Sequence, residues 1–238
     1  MAARVTFACI LLIVSQGTAE AEGFLDLYGG PSMSGTADVR VSETNSSGTT
    51  SAAASIDLSS STMFGARFGF WHPTYNWIGL GMDLGYFQAD GPGVNIKAYP
   101  FSFLLALRAP LFTTPERPGG RLQPYAMAGV TFYMYDSTVH LNGMGGSSSN
   151  NYWPIINGAS NREIGPYLAA GLAWQPARNL ALFGEFRHSN FDVGFDTTNS
   201  FLFPTANGRV DTSVSINHIL FGLSYRFMES VPGKEEQP

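Results

Sequence analysis

The chain has 238 residues and a formal net charge of −5, and only 13% of its residues are charged, about half of the ~25% usual in soluble domains. Aromatic residues make up 13%, and there are 27 glycines. The length indicates one domain. A net negative charge without a basic patch argues against nucleic acid as a partner.

The N-terminus has the three parts of a secretory signal peptide. In MAARVTFACILLIVSQGTAEAEG, Arg4 precedes an apolar run over residues 5–14, and Ala19-Glu20-Ala21 forms a small-x-small cleavage site. A membrane anchor is excluded, because this run is too short to cross a hydrocarbon core of ~30 Å as a helix. We therefore predict a signal peptide over residues 1–21, and it contains the only cysteine, Cys9.

The rest of the sequence alternates with a period of two, which predicts strands. In WIGLGMDLGYF, large apolar residues occupy the even positions from Ile78 to Tyr86, whereas glycines and Asp83 occupy the odd positions from Gly79 to Gly85. Eight stretches alternate in this way: FLDLYGG (24–30), TMFGARFGF (62–70), WIGLGMDLGYF (77–87), FSFLLALR (101–108), YAMAGVTFYMY (125–135), YLAAGLAW (167–174), LALFGEFR (180–187) and SINHILFGLSYRF (215–227).

The predicted connections are of two kinds. Short ones fall at 72–76, 113–120 and 176–179, and the others, mostly longer and rich in Ser, Gly and Asn, fall at 31–60, 89–95, 142–163 and 196–211. Short turns on one rim and longer loops on the other are typical of up-and-down outer-membrane barrels. DVRVSE and SAAASIDLS within 31–60 also alternate, so the first two strands are open to extension above the membrane as a hairpin.

Two eight-stranded barrels fit this pattern, and they differ in which face is outside. A soluble lipocalin-like barrel would need room inside for four or five large residues from every strand, and its outer surface would carry glycines in strand interiors. The reverse arrangement turns Leu, Phe, Ile and Met toward lipid and leaves space inside for Arg, Tyr and Asp. We predict an all-β fold, an eight-stranded antiparallel up-and-down transmembrane β-barrel over residues 22–227.

The inward face of this barrel carries seven charged residues, three acids and four arginines. Charges in a narrow lumen must be paired or hydrogen-bonded, because each otherwise costs several kcal/mol. The favoured interpretation is a salt-bridged network that fixes the barrel, and a gated ion path through a rearranging network remains the alternative. The predicted lumen charge network consists of Asp26, Arg67, Asp83, Arg108, Glu185, Arg187 and Arg226.

The sequence NLALFGEFRHSNFDVGF followed by SVSINHILFGLSYRF resembles the last hairpin of the OmpA-like outer-membrane beta-barrel family. The resemblance covers about residues 23–227. It implies that Gly222, Tyr225 and Phe227 form a C-terminal signal recognised by the barrel assembly machinery. The aromatic residue is not terminal here, since residues 228–238 follow as a short periplasmic tail, which is too short to be the peptidoglycan-binding domain of some relatives.

A second short motif bears on catalysis. RHSN (187–190) is similar to the His-x-Ser-Asn of outer-membrane lipid A deacylases, but His188 and Ser189 are neighbours and point to opposite faces of a regular strand. Parity with Glu185 predicts Ser189 inward and His188 outward. The remaining histidines are scattered without metal-ligand spacing. We predict no catalytic residues, no metal and no cofactor.

The predicted function is therefore that of a non-enzymatic outer-membrane surface protein with a structural role. Its expected partners are outer-membrane lipids and lipopolysaccharide, together with an extracellular molecule that contacts the loops. The loop tip NNYWPIING (150–158) holds four apolar residues for such a contact, although they could equally pack on the barrel rim: Tyr152, Trp153, Ile155 and Ile156. A lipid A deacylase-like enzyme and a narrow ion-conducting porin are the alternatives.

Overall fold

The computed structural model describes residues 21–33, 35–45, 48–59, 61–91, 94–114, 117–139, 156–157, 161–196 and 207–227. The predicted signal peptide, apart from Ala21, and the predicted tail 228–238 lie outside this part of the chain. Within the described ranges, no helix has the length and apolar character needed to cross a membrane.

The described residues form eleven strands. They are β1 (Glu22–Ser32), β2 (Gly35–Asn45), β3 (Gly48–Leu58), β4 (Ser61–Trp71), β5 (Ile78–Gly91), β6 (Val94–Arg108), β7 (Leu122–Val139), β8 (Ile156–Asn157), β9 (Asn161–Ala177), β10 (Leu180–Asp196) and β11 (Asn207–Phe227).

Eight of these strands close into a barrel. Their order is β1-β4-β5-β6-β7-β9-β10-β11, and β1 pairs with β11 to complete the ring. Every pairing in the ring is antiparallel. The predicted fold is therefore confirmed, and each of the eight predicted stretches lies within one strand of the ring, apart from Trp77, which directly precedes β5.

The two faces of the barrel wall follow the period-two pattern. The outward side chains are large and apolar: Leu27 is 58% exposed, Phe64 54% and Phe221 62%. Inward positions on the same strands are buried, as at Asp26, Arg67 and Ser224. An exposed apolar belt of this kind is the surface that a barrel presents to lipid.

Two glycines show why the inward face is poor in large residues. A Cβ at Gly65 would overlap the hydroxyl end of Tyr28, and a Cβ at Gly222 would overlap the ring of Phe183. These glycines therefore make room for aromatic side chains that cross the interior from neighbouring strands.

The remaining strands extend the wall beyond the belt. β2 and β3 form the predicted hairpin, and β2 pairs with the first half of β11 from Asn207↔Thr44 to Ser215↔Thr36. Together with the last residues of β10 they make a four-stranded sheet, β10-β11-β2-β3, which we call the protruding sheet. The β4–β5, β6–β7 and β9–β10 connections lie at the opposite rim, which we call the short-turn rim and where the strand ends Gly23 and Phe227 also pair.

Three predicted loops are shorter in the structure than in the sequence analysis. β5 and β6 continue through most of 89–95, β11 already begins at Asn207, and β9 begins at Asn161. Ala89, at the start of the first of these segments, and Ile96 and Ala98, just after it, are buried. Alternation therefore continues into the segment, although its Gly and Pro content marks a turn. Burial of this apolar face explains why the strands extend so far.

Candidate functional site

All seven residues predicted for the lumen lie inside the barrel, and each is at most 4% exposed. Six strands supply them: Asp26 from β1, Arg67 from β4, Asp83 from β5, Arg108 from β6, Glu185 and Arg187 from β10, and Arg226 from β11. The structure divides them into a central layer and a second layer near the short-turn rim.

Arg67 is at the middle of the central layer. Its Nη2 donates to both carboxylate oxygens of Glu185 at 2.8 Å, and its Nε donates to Asp83 Oδ2 at 3.0 Å. Asp26 is a weaker partner, since its Oδ2 lies 3.4 Å from Nη1. One arginine thus joins acids from three other strands, β1, β5 and β10.

Arg187 pairs with two of the same acids. Its Nη2 donates to Glu185 Oε1 at 2.8 Å and to Asp83 Oδ2 at 3.1 Å. Glu185 accepts from Tyr125 as well, at 3.0 Å. Glu185 thus binds two guanidinium groups and a hydroxyl, and Asp83 binds the same two guanidinium groups and the hydroxyls of Tyr28 and Tyr167. A buried charge needs such a set of partners to be stable.

Tyrosines complete the central layer. The Tyr28 hydroxyl donates to Asp83 Oδ1 at 2.6 Å and accepts from Arg187 Nη1 at 3.0 Å, while the Tyr167 hydroxyl accepts from Arg67 Nη2 at 3.0 Å. The guanidinium carbon of Arg187 also lies 4.6 Å from the ring centroid of Tyr28. The period-two pattern predicts that these tyrosines lie on the inward, glycine-bearing face, but it does not predict their hydrogen bonds to the ionic residues.

The second layer is built on Glu22, which sequence reasoning missed. Arg108 forms a two-pronged pair with Glu22, with Nη1 and Nη2 at 3.0 and 2.7 Å from its two oxygens. Arg226 Nη1 lies 3.6 Å from the same carboxylate. Glu22 has the parity of Asp26 and so belongs to the inward face, but it follows the predicted cleavage site directly, where no strand was predicted.

The two layers are oppositely charged when all groups are ionised. The central layer has three acids and two arginines, which gives −1. The second layer has Glu22 against Arg108 and Arg226, which gives +1. The charges of the eight residues therefore sum to zero. The most weakly paired members, Asp26 and Arg226, line the same small cavity between the layers.

Above the central layer, His218 lies between two hydroxyls. Its Nδ1 is 2.8 Å from Ser32 Oγ and its Nε2 is 3.1 Å from Ser189 Oγ. Ser189 points inward and is 3% exposed, whereas His188 hydrogen-bonds Asn217 at 2.9 Å. The histidine beside Ser189 is thus His218 on the neighbouring strand and not the adjacent His188.

The outer part of the interior is filled with apolar side chains. Tyr133 and Phe191 stack with ring centroids 4.4 Å apart, and Phe87 lies 5.2 Å from the His218 ring. We call this set the apolar plug: Leu58, Met63, Phe87, Ala89, Ile96, Ala98, Tyr133, Tyr135, Phe191, Val214 and Ile216. On β4, β5 and β10 the plug residues lie farther from the short-turn rim than the ionic residues do. The interior is therefore closed at a second level.

The residues of the predicted assembly signal lie at the end of β11. Tyr225 and Phe227 face outward, are 49% and 52% exposed, and their ring centroids are 4.9 Å apart. Gly222 pairs with Phe183 on one side and Tyr28 on the other. The two aromatics thus belong to the lipid-facing belt at the rim where the chain leaves the barrel.

The predicted loop contact falls largely outside the described residues. Tyr152, Trp153 and Ile155 are not described, and Ile156 belongs to β8, where it pairs with Val139. In the part of the chain that the structure describes, no three His, Cys, Asp or Glu side chains come together in a way that could hold a metal ion.

Comparisons with known proteins agree with this architecture. The family profile described as the outer membrane protein beta-barrel domain matches residues 6–227. Among solved structures, the outer membrane protein OprG from Pseudomonas aeruginosa has a TM-score of 0.54 at 15% identity, covering 88% of this chain and 98% of that one. The attachment invasion locus protein Ail of Yersinia pestis has a TM-score of 0.40 at 14% identity, covering 87% and 99%. The outer membrane protease OmpT from Escherichia coli has a TM-score of 0.39 at 12% identity, covering 88% and 98%. At these identities the likeness to OprG shows the fold alone. No curated protein matches the sequence.

Proposed function

We propose that this chain, which belongs to the outer membrane protein beta-barrel family, is a non-enzymatic surface protein of the bacterial outer membrane. Its barrel serves as a closed, rigid base, and the protruding sheet and residues 142–163 make contacts outside the cell. Lipopolysaccharide and outer-membrane lipids surround the belt. The barrel assembly machinery inserts the chain by recognising Gly222, Tyr225 and Phe227.

The observation that carries this proposal is the double closure of the interior. An ion that crossed the barrel would have to pass both the paired charges around Arg67 and Glu185 and the apolar plug. Displacing either requires breaking buried ion pairs or opening a packed apolar cluster, and each change costs several kcal/mol. A narrow ion-conducting porin is therefore the less favoured function.

Conductance in planar lipid bilayers tests the closure. The purified, refolded protein should give no resolved current steps under conditions in which a general porin, reconstituted in parallel, conducts. Regular steps from the heat-modifiable, folded protein would overturn the closed-barrel proposal and restore the porin alternative.

The pair of Ser189 and His218 is the one observation that favours an enzyme, since a hydroxyl next to an imidazole is the core of a hydrolase dyad. Two features oppose this function. Both side chains are buried beneath the apolar plug, and the second nitrogen of His218 contacts the Ser32 hydroxyl rather than a carboxylate. We expect no labelling of Ser189 by a fluorophosphonate probe, whereas labelling that is lost in Ser189→Ala would support the lipid A deacylase-like alternative.

The structural and contact roles can be separated in cells. A strain that lacks the chain should become more sensitive to detergents that cross a weakened outer membrane. A variant in which residues 35–58 are replaced by a short turn keeps the eight-stranded ring, and it should restore resistance. Failure of the variant to do so, at normal outer-membrane levels, would place the structural role in the protruding sheet instead of the barrel.

A further inference from the structure

The outermost strand of the protruding sheet has a partner on one side only. Among the described residues, β3 pairs along its length with β2, and its other side makes a single bridge, Ser59↔Asp90, just beyond its end. From that bridge β3 runs away from the membrane, whereas the hairpin of β5 and β6 already turns between Gly91 and Val94. Over about 50–57, this edge of β3 therefore has no described strand beside it.

Apart from Asp57 near its end, β3 has none of the sequence features that usually protect an edge strand. Edge strands in native proteins are usually blunted by lysine, proline, bulges or very short length. β3 reads GTTSAAASIDL over eleven residues, without Lys, Arg or Pro, and its pairing with β2 is regular throughout. Its outward side chains are small, since Ser51, Ala53 and Ser55 are the exposed positions in the middle of the strand. A second strand can approach such an edge closely.

The outer face beside this edge is acidic. Asp57 on β3, Asp38 on β2 and Asp192 on β10 are exposed. Their directly paired positions are uncharged: Asp57 faces Thr36, and Asp38 faces Ser55 and Ser213. Arg40 occupies the position opposite Asp211. The face next to the edge thus has negative charge without a cation at the paired positions.

We propose that β3 is a docking edge for an extended peptide segment of an extracellular partner, which adds as a further strand and carries basic side chains at alternate positions. Backbone hydrogen bonds to β3 supply the affinity, and the basic side chains lie over Asp57 and Asp38 and set the register. This inference rests on the proposed function, because it names the kind of partner that the surface contacts would have.

A second copy of the chain is a poorer occupant of the same edge. Two copies in one membrane have the same orientation, so their β3 strands would run in the same direction. In a symmetric dimer that joins two sheets at the same edge, the two edge strands run antiparallel, which copies with the same orientation in one membrane do not allow. The acidic face also repels its own copy, whereas it attracts a basic segment.

Peptide binding to the full protein in lipid nanodiscs tests the proposal. The probe is a fluorescein-labelled peptide of about nine residues, within the usual length of a strand, that alternates lysine with valine. Its anisotropy should rise on binding. A peptide of the same sequence with an N-methyl group at every interior residue has the same charge but lacks N–H donors on both of its edges, and it should bind at least about tenfold more weakly.

Two pairs of variants separate charge from backbone pairing. The double variant Asp38→Asn/Asp57→Asn should weaken binding about three- to tenfold, because two exposed charge contacts are lost. Asp136→Asn, an exposed acid on β7, is the control and should leave binding unchanged. Successive residues of a strand point their N–H groups to opposite edges. One of Ala53→Pro and Ala54→Pro therefore removes a donor from the free edge with the hairpin intact, and that variant should abolish binding.

Several results would overturn the proposal. One is equal binding of the N-methylated and unmodified peptides, and another is unchanged binding in both proline variants. Binding only after removal of residues 142–155 would mean that the chain's own segment occupies the edge. If the protein formed dimers and the dimers no longer bound the peptide, the edge would be assigned to a second copy of the chain. A conducting barrel that still bound the peptide would contradict the proposed function and leave this inference standing.

Discussion

Glu185 and Asp26 provide a charge-matched test of the ionic interior. Glu185→Gln and Asp26→Asn each remove one negative charge from the same layer, and both side chains are almost fully buried. Glu185 accepts from two guanidinium groups and the Tyr125 hydroxyl at 2.8 to 3.1 Å. Among the described residues, Asp26 forms one ion pair, with Arg67 at 3.4 Å.

The expected cost differs because the lost bonds differ. Glu185→Gln leaves two buried arginines short of an acceptor, and breaking a buried pair in this way costs about 3–5 kcal/mol. Asp26→Asn removes one long contact and should cost about 1 kcal/mol. The measurement is urea unfolding of the refolded protein in lipid vesicles, followed by tryptophan fluorescence. Equal unfolding midpoints for the two variants would refute the inference that bonding geometry, and not net charge, stabilises this layer.

Three further outcomes are expected in cells. N-terminal sequencing of outer-membrane protein should give a chain that begins near Glu22 and migrates differently when boiled, whereas recovery from the soluble periplasm would revive the lipocalin-like barrel. Phe221→Ala and Phe227→Ala should each lower the free energy of folding of the purified protein by a similar amount, about 1.5–3 kcal/mol. In cells, only Phe227→Ala should lower the amount of protein in the outer membrane by more than this loss of stability explains. Equal reductions in the two variants would end the assembly-signal proposal. Protease added to intact cells should cut at 46–47 or within 142–163, and cleavage confined to 113–120 would mean that the barrel is inverted.

The strands could be predicted because the residue types on the two faces of each strand show which face meets lipid and which meets the interior. A period of two with large apolar residues on one face and glycine, Arg or Asp on the other appears within a single strand such as 77–87. The same parity fixed which charges turn inward, including Arg67 and Glu185. Nothing outside the strand is needed for either prediction.

The contacts between strands were not predictable in the same way. Which acid meets which arginine depends on the stagger between strands, and periodicity carries no information about that stagger. The division of the ionic residues into two layers and the pairing of Ser189 with His218 both follow from this register. The connection predicted at 89–95 is shorter in the structure for a related reason, because Gly and Pro mark a turn but do not show where the flanking strands stop pairing.

The orientation of the two faces is tested most directly by spin labels on single cysteines. Cys9, the only cysteine, lies in the predicted signal peptide, so Leu223→Cys and Ser224→Cys each give one site on the mature protein. These neighbours are 51% and 0% exposed. In lipid vesicles, the label at 223 should be accessible to oxygen dissolved in the lipid and inaccessible to a water-soluble nickel chelate, whereas the label at 224 should be shielded from both. Access of the chelate to position 223 along with shielding of 224 would mean that the apolar face meets water and would contradict the membrane barrel.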